Sequence, residues 1–138
     1  MLGLFDGHSR QARKDADGAR ALGWASLAIG LTELAAPKVV SKLLGIDDTP
    51  QTRGVLRVLG VREIGHGVGI LTEDEPNGKL TGAVWSRVAG DALDTALLAK
   101  AAVKTKKPAS FALVSAAVMG IGLLDIYYAQ RLTRDQVQ

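Results

Sequence analysis

Residues Ala109–Ala129 read ASFALVSAAVMGIGLLDIYYA, a stretch in which Asp125 is the only charge and Ser110 and Ser115 are the only other strongly polar groups. Alternation over four to eight residues is absent, so the segment reads as helix rather than strand. A soluble bundle of four helices has no fully interior member, and each of its helices must turn a polar face to water. Ala109–Ala129 has no such face. About 20 apolar residues cross a ~30 Å hydrocarbon core, a rule this length meets if one ionisable group per span is tolerated.

Working outward, three further apolar segments lie at Ala21–Ala36, Val55–Thr72 and Leu80–Val103, with breakers between them at Pro37, Pro50, Pro76-Asn77-Gly78 and Pro108. Four helices are expected. Ala21–Ala36 carries Glu33 as its only charge. Between the first two segments, Lys38 and Lys42 stand four apart in Lys-Val-Val-Ser-Lys-Leu-Leu, which predicts a short amphipathic turn of helix ending at Gly45. In the middle segments the charges fall on narrow arcs: Arg62, Glu63 and His66 on one helix, Arg87, Asp91 and Asp94 on the other. A narrow charged stripe on an apolar helix is what a membrane bundle turns inward, whereas a soluble bundle needs a broad polar face. A soluble four-helix bundle is the alternative, and the low mean hydropathy of +0.14 speaks for it. Gly65-x-x-x-Gly69 and Ala116-x-x-x-Gly120 are candidate sites of close helix approach.

Composition narrows the classes. The 138 residues are 47% hydrophobic and contain no cysteine, which excludes a disordered chain, a disulfide scaffold, a zinc ribbon and a thiol nucleophile. The net charge of +3 is neither clustered with aromatics nor large, so nucleic acid is not an expected partner. Residues 1–19 lack the long apolar core of a signal peptide and read as an arm with an apolar tip and a basic body, either interfacial or frayed. Lys and Arg divide seven to eight between the two expected ends of the bundle, so the positive-inside rule does not orient it. Glu73-Asp74-Glu75-Pro76-Asn77-Gly78 is an acidic turn without calcium-loop spacing. Trp24, Trp85 and Tyr127-Tyr128 suit interfacial belts.

The candidate site is the set of ionisable residues inside apolar segments: Glu33, Arg62, Glu63, His66, Arg87, Asp91, Asp94 and Asp125. Arg57 also falls in a segment, near enough to a helix end to snorkel. Charges at membrane depth cost ~2.5–3.5 kcal/mol each on insertion scales, so their number demands partners or a function. Arg87 and Asp91, four apart, are expected to pair on one helix face. Five carboxylates against two arginines leave at least one protonated, paired with His66 or facing water. Three readings stand. The set is an interhelical network fixing assembly or partner docking; a pocket for a lipid-like ligand gripped by Arg62 and Arg87; or an intramembrane acid–base or metal site. The last rests on Glu63-x-x-His66, with Asp91, Asp94 and Glu33 as further oxygen ligands, and di-iron bundles need two such pairs where this chain has one. No metal and no cofactor are expected.

Taken together, LGWASLAIGLTELAAP, GVREIGHGVGIL, WSRVAGDALDTALL and DIYYAQRL, between Arg20 and Arg134, resemble a bacterial family of small multi-pass membrane proteins of unknown function. Its members are often labelled cyclase/dehydrase because some carry a separate helix-grip domain that binds lipids or polyketides. The resemblance covers the membrane part alone and implies no cyclase activity; it implies work beside something that handles a lipophilic molecule.

The sequence therefore predicts an all-α, four-helix transmembrane bundle with short loops, divided into an N-terminal amphipathic arm (1–19), a membrane domain (20–134) and a tail (135–138). Expected is an accessory or interaction protein of the bacterial inner membrane rather than an enzyme. Its partners would be membrane lipids, further copies or a larger membrane complex, and a lipophilic ligand.

Overall fold

The computed structural model describes residues 2–73 and 78–137, except the side chains of 2–5. Among the described residues the chain is all-α, with no strand: α1 (Leu2–Ala35), α2 (Pro37–Leu44), α3 (Pro50–Leu71), α4 (Gly78–Ala102) and α5 (Pro108–Val137). The four long helices run alternately up and down. Residue pairing shows it: Gly30 meets Gly60 and Gly23 meets Gly67 across α1 and α3, and Asp15 meets Arg131 as Gly18 meets Tyr128 across α1 and α5.

Proline and threonine set the boundaries. Pro37, Pro50 and Pro108 each open a helix, where the missing N–H has no partner to lose. Thr49 caps α3, its Oγ1 accepting from the Thr52 N–H at 3.1 Å. The short helix expected from Lys38 to Gly45 is α2, closed by Gly45 at φ 65°, with the Gly45 and Ile46 N–H groups bonding back to the carbonyls of Lys42 and Ser41.

The stretch read as an N-terminal arm is the first half of α1, and it is packed. Asp15, Ala16 and Ala19 are buried, and Ala16 and Ala19 join Ile70, Leu80, Val84, Ala129 and Leu132 in an apolar cluster drawn from all four long helices. Asp6 to Arg10 are all exposed, tied by the Arg10–Asp6 pair, as are Arg13, Lys14 and Asp17. The tail is likewise helical to Val137. The acidic turn falls mostly at 74–77, outside the described residues, although the Glu73 carbonyl accepts from Arg20 at 3.0 Å.

Close approach is made by different glycines from those expected. A Cβ on Gly60 would stand 2.6 Å from the Gly30 carbonyl oxygen, and one on Gly67 would stand 2.7 Å from that of Gly23. Only hydrogen fits there. Gly65, Gly69 and Gly120 instead face open space. Both working pairs are seven residues apart, two helical turns, so antiparallel helices meet at each in register.

Of the described helices, α5 alone is long and apolar enough to cross a membrane. The other long helices carry more charge: Asp6 to Arg20 and Glu33 in α1, Arg62 and Glu63 in α3, Arg87, Asp91 and Asp94 in α4. Beside the apolar cluster, the bundle nonetheless buries charge and exposes large apolar side chains. Arg87 and Asp125 are 1% and 0% exposed, while Val58 and Leu113 are 71% and 74% exposed.

Candidate functional site: an ionisable network between the helices

The narrow charged arcs of α3 and α4 both turn inward, and the structure gathers all eight expected residues at mid-bundle. Glu63 on α3 is the hub. Its Oε2 accepts from the Ser26 hydroxyl of α1 at 2.7 Å and lies 3.5 Å from Arg87 Nη1, while its Oε1 accepts from Arg62 Nη2 at 3.1 Å. Arg62 Nη2 also reaches both oxygens of Asp94 on α4, at 2.8 and 2.7 Å. Arg87, on α4, donates through Nε to Asp125 Oδ2 of α5 at 2.8 Å and through Nη1 to the Leu22 carbonyl of α1 at 3.2 Å. Two arginines thus tie together all four long helices.

The expected pair on one helix face does not form. Arg87 turns to Asp125 and Glu63 on its neighbours instead of Asp91, because a guanidinium aimed along its own helix would leave the buried Asp125 without a cation. Asp91 sits beside Asp125 and against Gly122, whose Cβ would lie 3.5 Å from that of Asp91. Glu33, one turn from the α1–α3 glycine contact, faces Asp94, Glu63 and Arg62.

Glu63 and His66 do come together, Oε1 to Nδ1 at 3.7 Å, with the other ring nitrogen 3.5 Å from Ser86 Oγ. Both Glu63 oxygens are already committed to Ser26 and the arginines. Among the described residues no group of three or more His, Asp or Glu side chains is arranged to hold a metal ion. The room for Arg62 and His66 comes from Gly90, where a Cβ would stand 3.0 Å from the His66 ring and 3.5 Å from the Arg62 guanidinium.

Several buried polar atoms make no hydrogen bond: the donors Arg62 Nε and Nη1, the His66 ring nitrogen Nδ1, and the acceptors Glu33 Oε2, Asp91 Oδ2 and Asp125 Oδ1. Buried polar atoms are nearly always satisfied, so a cluster with both kinds open is able to receive a polar group. The formal charge of the set, five carboxylates to two guanidiniums, is −3.

Sequence reasoning missed Ser26, the Leu22 carbonyl and Gly90. Ser26 was legible: it precedes Glu33 by seven residues on the same helix face. The Leu22 carbonyl carries no sequence signal, since every residue has one.

A second ionic cluster lies at the end of the bundle that carries the termini. Asp15, nearly buried, accepts from Arg131 Nε at 3.1 Å and from Gln11 Nε2 at 3.1 Å. Asp135 sits nearby, its carboxyl pushed above the usual range by burial and by the negative charge of Asp15. Comparisons of the chain with family models, with curated proteins and with solved structures find no match.

Proposed function

We propose that the protein is a small multi-pass membrane protein of the bacterial inner membrane, an accessory or interaction component rather than an enzyme. In this reading the central network holds four spans together and offers a polar site to a lipophilic molecule. One observation carries it: Arg87, Asp125, Glu63 and Ser26 lie inside the bundle, while Val58, Leu113, Leu123 and Trp24 lie outside. Exposed apolar area on this scale is unfavourable in water and costs nothing against hydrocarbon. Ionised residues within spans are tolerated when they face the bundle interior and pair with one another, which is how Arg62, Arg87 and their carboxylates are disposed.

Membrane fractionation with a carbonate wash tests the reading. The protein is expected to stay in the pellet and to need detergent for release; recovery in the soluble fraction would sink it. Binding of a lipophile, rather than a purely structural network, is favoured by the open donors on Arg62. Mass spectrometry of the detergent-purified protein is expected to find a stoichiometric lipophile that Arg62→Gln loses while the helical signal is retained. If none is found, the network is structural.

A further inference from the structure

At the end of the bundle opposite the termini, the α4–α5 loop folds over the end of α2. The Thr105 and Ser110 hydroxyls donate to the carbonyls of Leu44 and Leu43, at 2.7 and 2.5 Å. The Lys106 N–H donates to the Gly45 carbonyl at 2.8 Å. These are carbonyls that a helix end leaves open, and the loop fills them. Gly45 permits the fit: its φ is positive, and a Cβ there would stand 2.6 Å from the Lys107 nitrogen. The result is a cleft of ≈ 400 Å³ bordered by Lys38 and Lys42 of α2, Lys106 and Lys107 of the loop, Ile46 and one carboxylate, Asp48.

Its charges are unbalanced. Residues 36–57 and 100–110 carry eight Lys and Arg against Asp47 and Asp48, whereas residues 1–20, 72–79 and 131–138 carry seven against seven. The two acids are engaged, Asp47 with Lys106 at 2.7 Å and Asp48 with Arg53 at 2.8 Å. Lys38, Lys42 and Lys107 have no carboxylate partner among the described residues. Alongside Lys38 and Lys42 on α2 run Val39 and Leu43, each about half exposed. A cationic stripe beside an apolar one marks a helix lying in the membrane interface.

We propose that this cleft binds the phosphate headgroup of an anionic phospholipid, with Lys38, Lys42 and Lys107 around the phosphate and the acyl chains descending past Val39 and Leu43. The proposal rests on the membrane reading above and deepens it by naming a lipid class and a place. It also orients the chain: the α2 end faces the leaflet richer in anionic lipid. Lys and Arg counts of the two ends do not orient it, whereas a site for anionic lipid at one end does.

The test is lipid binding by the detergent-purified full chain, counted by native mass spectrometry during titration with phosphatidylglycerol or phosphatidylcholine. Phosphatidylglycerol is expected to be preferred. Lys38→Gln, Lys42→Gln and Lys107→Gln should each reduce the preference by about five-fold, the scale of one lysine near an anionic surface. The triple Lys→Arg variant should keep it, which separates lost charge from lost folding, and Lys79→Gln/Arg134→Gln at the other end should leave it intact. Equal binding of the two lipids, or a preference unchanged by the Gln variants, would overturn the proposal. So would displacement of phosphatidylglycerol by inorganic phosphate at similar concentration, which would assign the cleft to a soluble anion. The carbonate wash reads the membrane proposal separately: a protein retained in the pellet but showing no lipid preference overturns this inference alone. A protein that washes off yet keeps a lysine-dependent preference overturns the spanning reading alone.

Discussion

The α1–α3 seam and the α4–α5 seam both join antiparallel helices, the first chiefly through glycine contacts beside the Ser26–Glu63 hydrogen bond, the second through a series of polar ties. Along α1–α3, four glycines let backbone meet backbone, with Gly30 and Gly60 each pressed to the other's carbonyl. Along α4–α5 the ties are polar: Arg87 to Asp125, Trp85 Nε1 to Thr133 Oγ1 at 3.0 Å, and Gln136 Nε2 to Thr81 Oγ1 at 2.8 Å. Where helices lack a hydrophobic drive toward one another, close packing of small residues and interhelical hydrogen bonds are the means that remain. The steric seam is intolerant of size, the polar seam of losing one partner.

The largest expected effect breaks the polar seam. Arg87→Met removes the cation shared by Asp125 and Glu63 and should cost ~3–5 kcal/mol, the penalty for uncompensated buried charge. Arg87→Met/Asp125→Leu should recover part of that loss, and unfolding titrations of the three proteins check the order. If the single variant loses less than about 1 kcal/mol, as interhelical hydrogen bonds in membranes often do, the seam is held by packing after all.

Breaking the steric seam comes next. Gly60→Ala places a methyl against the Gly30 backbone and should cost ~1–3 kcal/mol through forced separation of the helices. Gly65→Ala, with open space at its Cβ, sharpens the comparison by going the other way, a gain of ~0.5–1 kcal/mol from helix propensity. Equal effects at 60 and 65 would refute the glycine contact.

The end clusters give the smaller, pH-dependent effects. Asp135 holds its proton more tightly in the fold than in the unfolded chain, through burial and then Asp15. Its favourable contribution is therefore complete below the unfolded value and lost as pH rises through the higher folded one. Asp135→Asn should raise Tm at neutral pH, with the gain shrinking toward acid; a pH-independent difference would contradict this. At the opposite end the sign reverses. The hydrogen bond from Lys106 holds the Asp47 carboxyl below its ordinary range, so its contribution is present above the unfolded value and lost as pH falls through the lower folded one. Both partners are exposed, and Lys106→Gln should shift the acid limb of the Tm profile least of all.

Much of the architecture was written locally. Apolar runs separated by prolines gave four long helices, and Lys38 to Gly45 gave the short one, because helix starts, stops and periodicity depend on near neighbours. The eight ionisable residues were legible as a set for a similar reason: a charge in an apolar segment is conspicuous wherever it ends up. Their pairing was not. Local spacing favoured Arg87 with Asp91, but the bundle offered Arg87 the wholly buried Asp125, and a buried carboxylate outbids a neighbour along the helix. The glycines were misjudged on the same ground, since four-residue spacing at 65–69 is common and the register of two antiparallel helices, which selects 23 with 67 and 30 with 60, is a property of the pair.

By itself, then, the sequence determined the helices, the stripe of charge each turns inward and the breakers between them, all of which follow from residues within a few turns. Only the tertiary structure decided which carboxylate each arginine holds, and that Asp15, Ala16 and Ala19 pack inside the bundle. It alone brought the lysines of 38–42 and 106–107 around one cleft. Those outcomes depend on distances between residues 32 to 116 positions apart, from Arg62–Asp94 to Asp15–Arg131, which no local periodicity encodes.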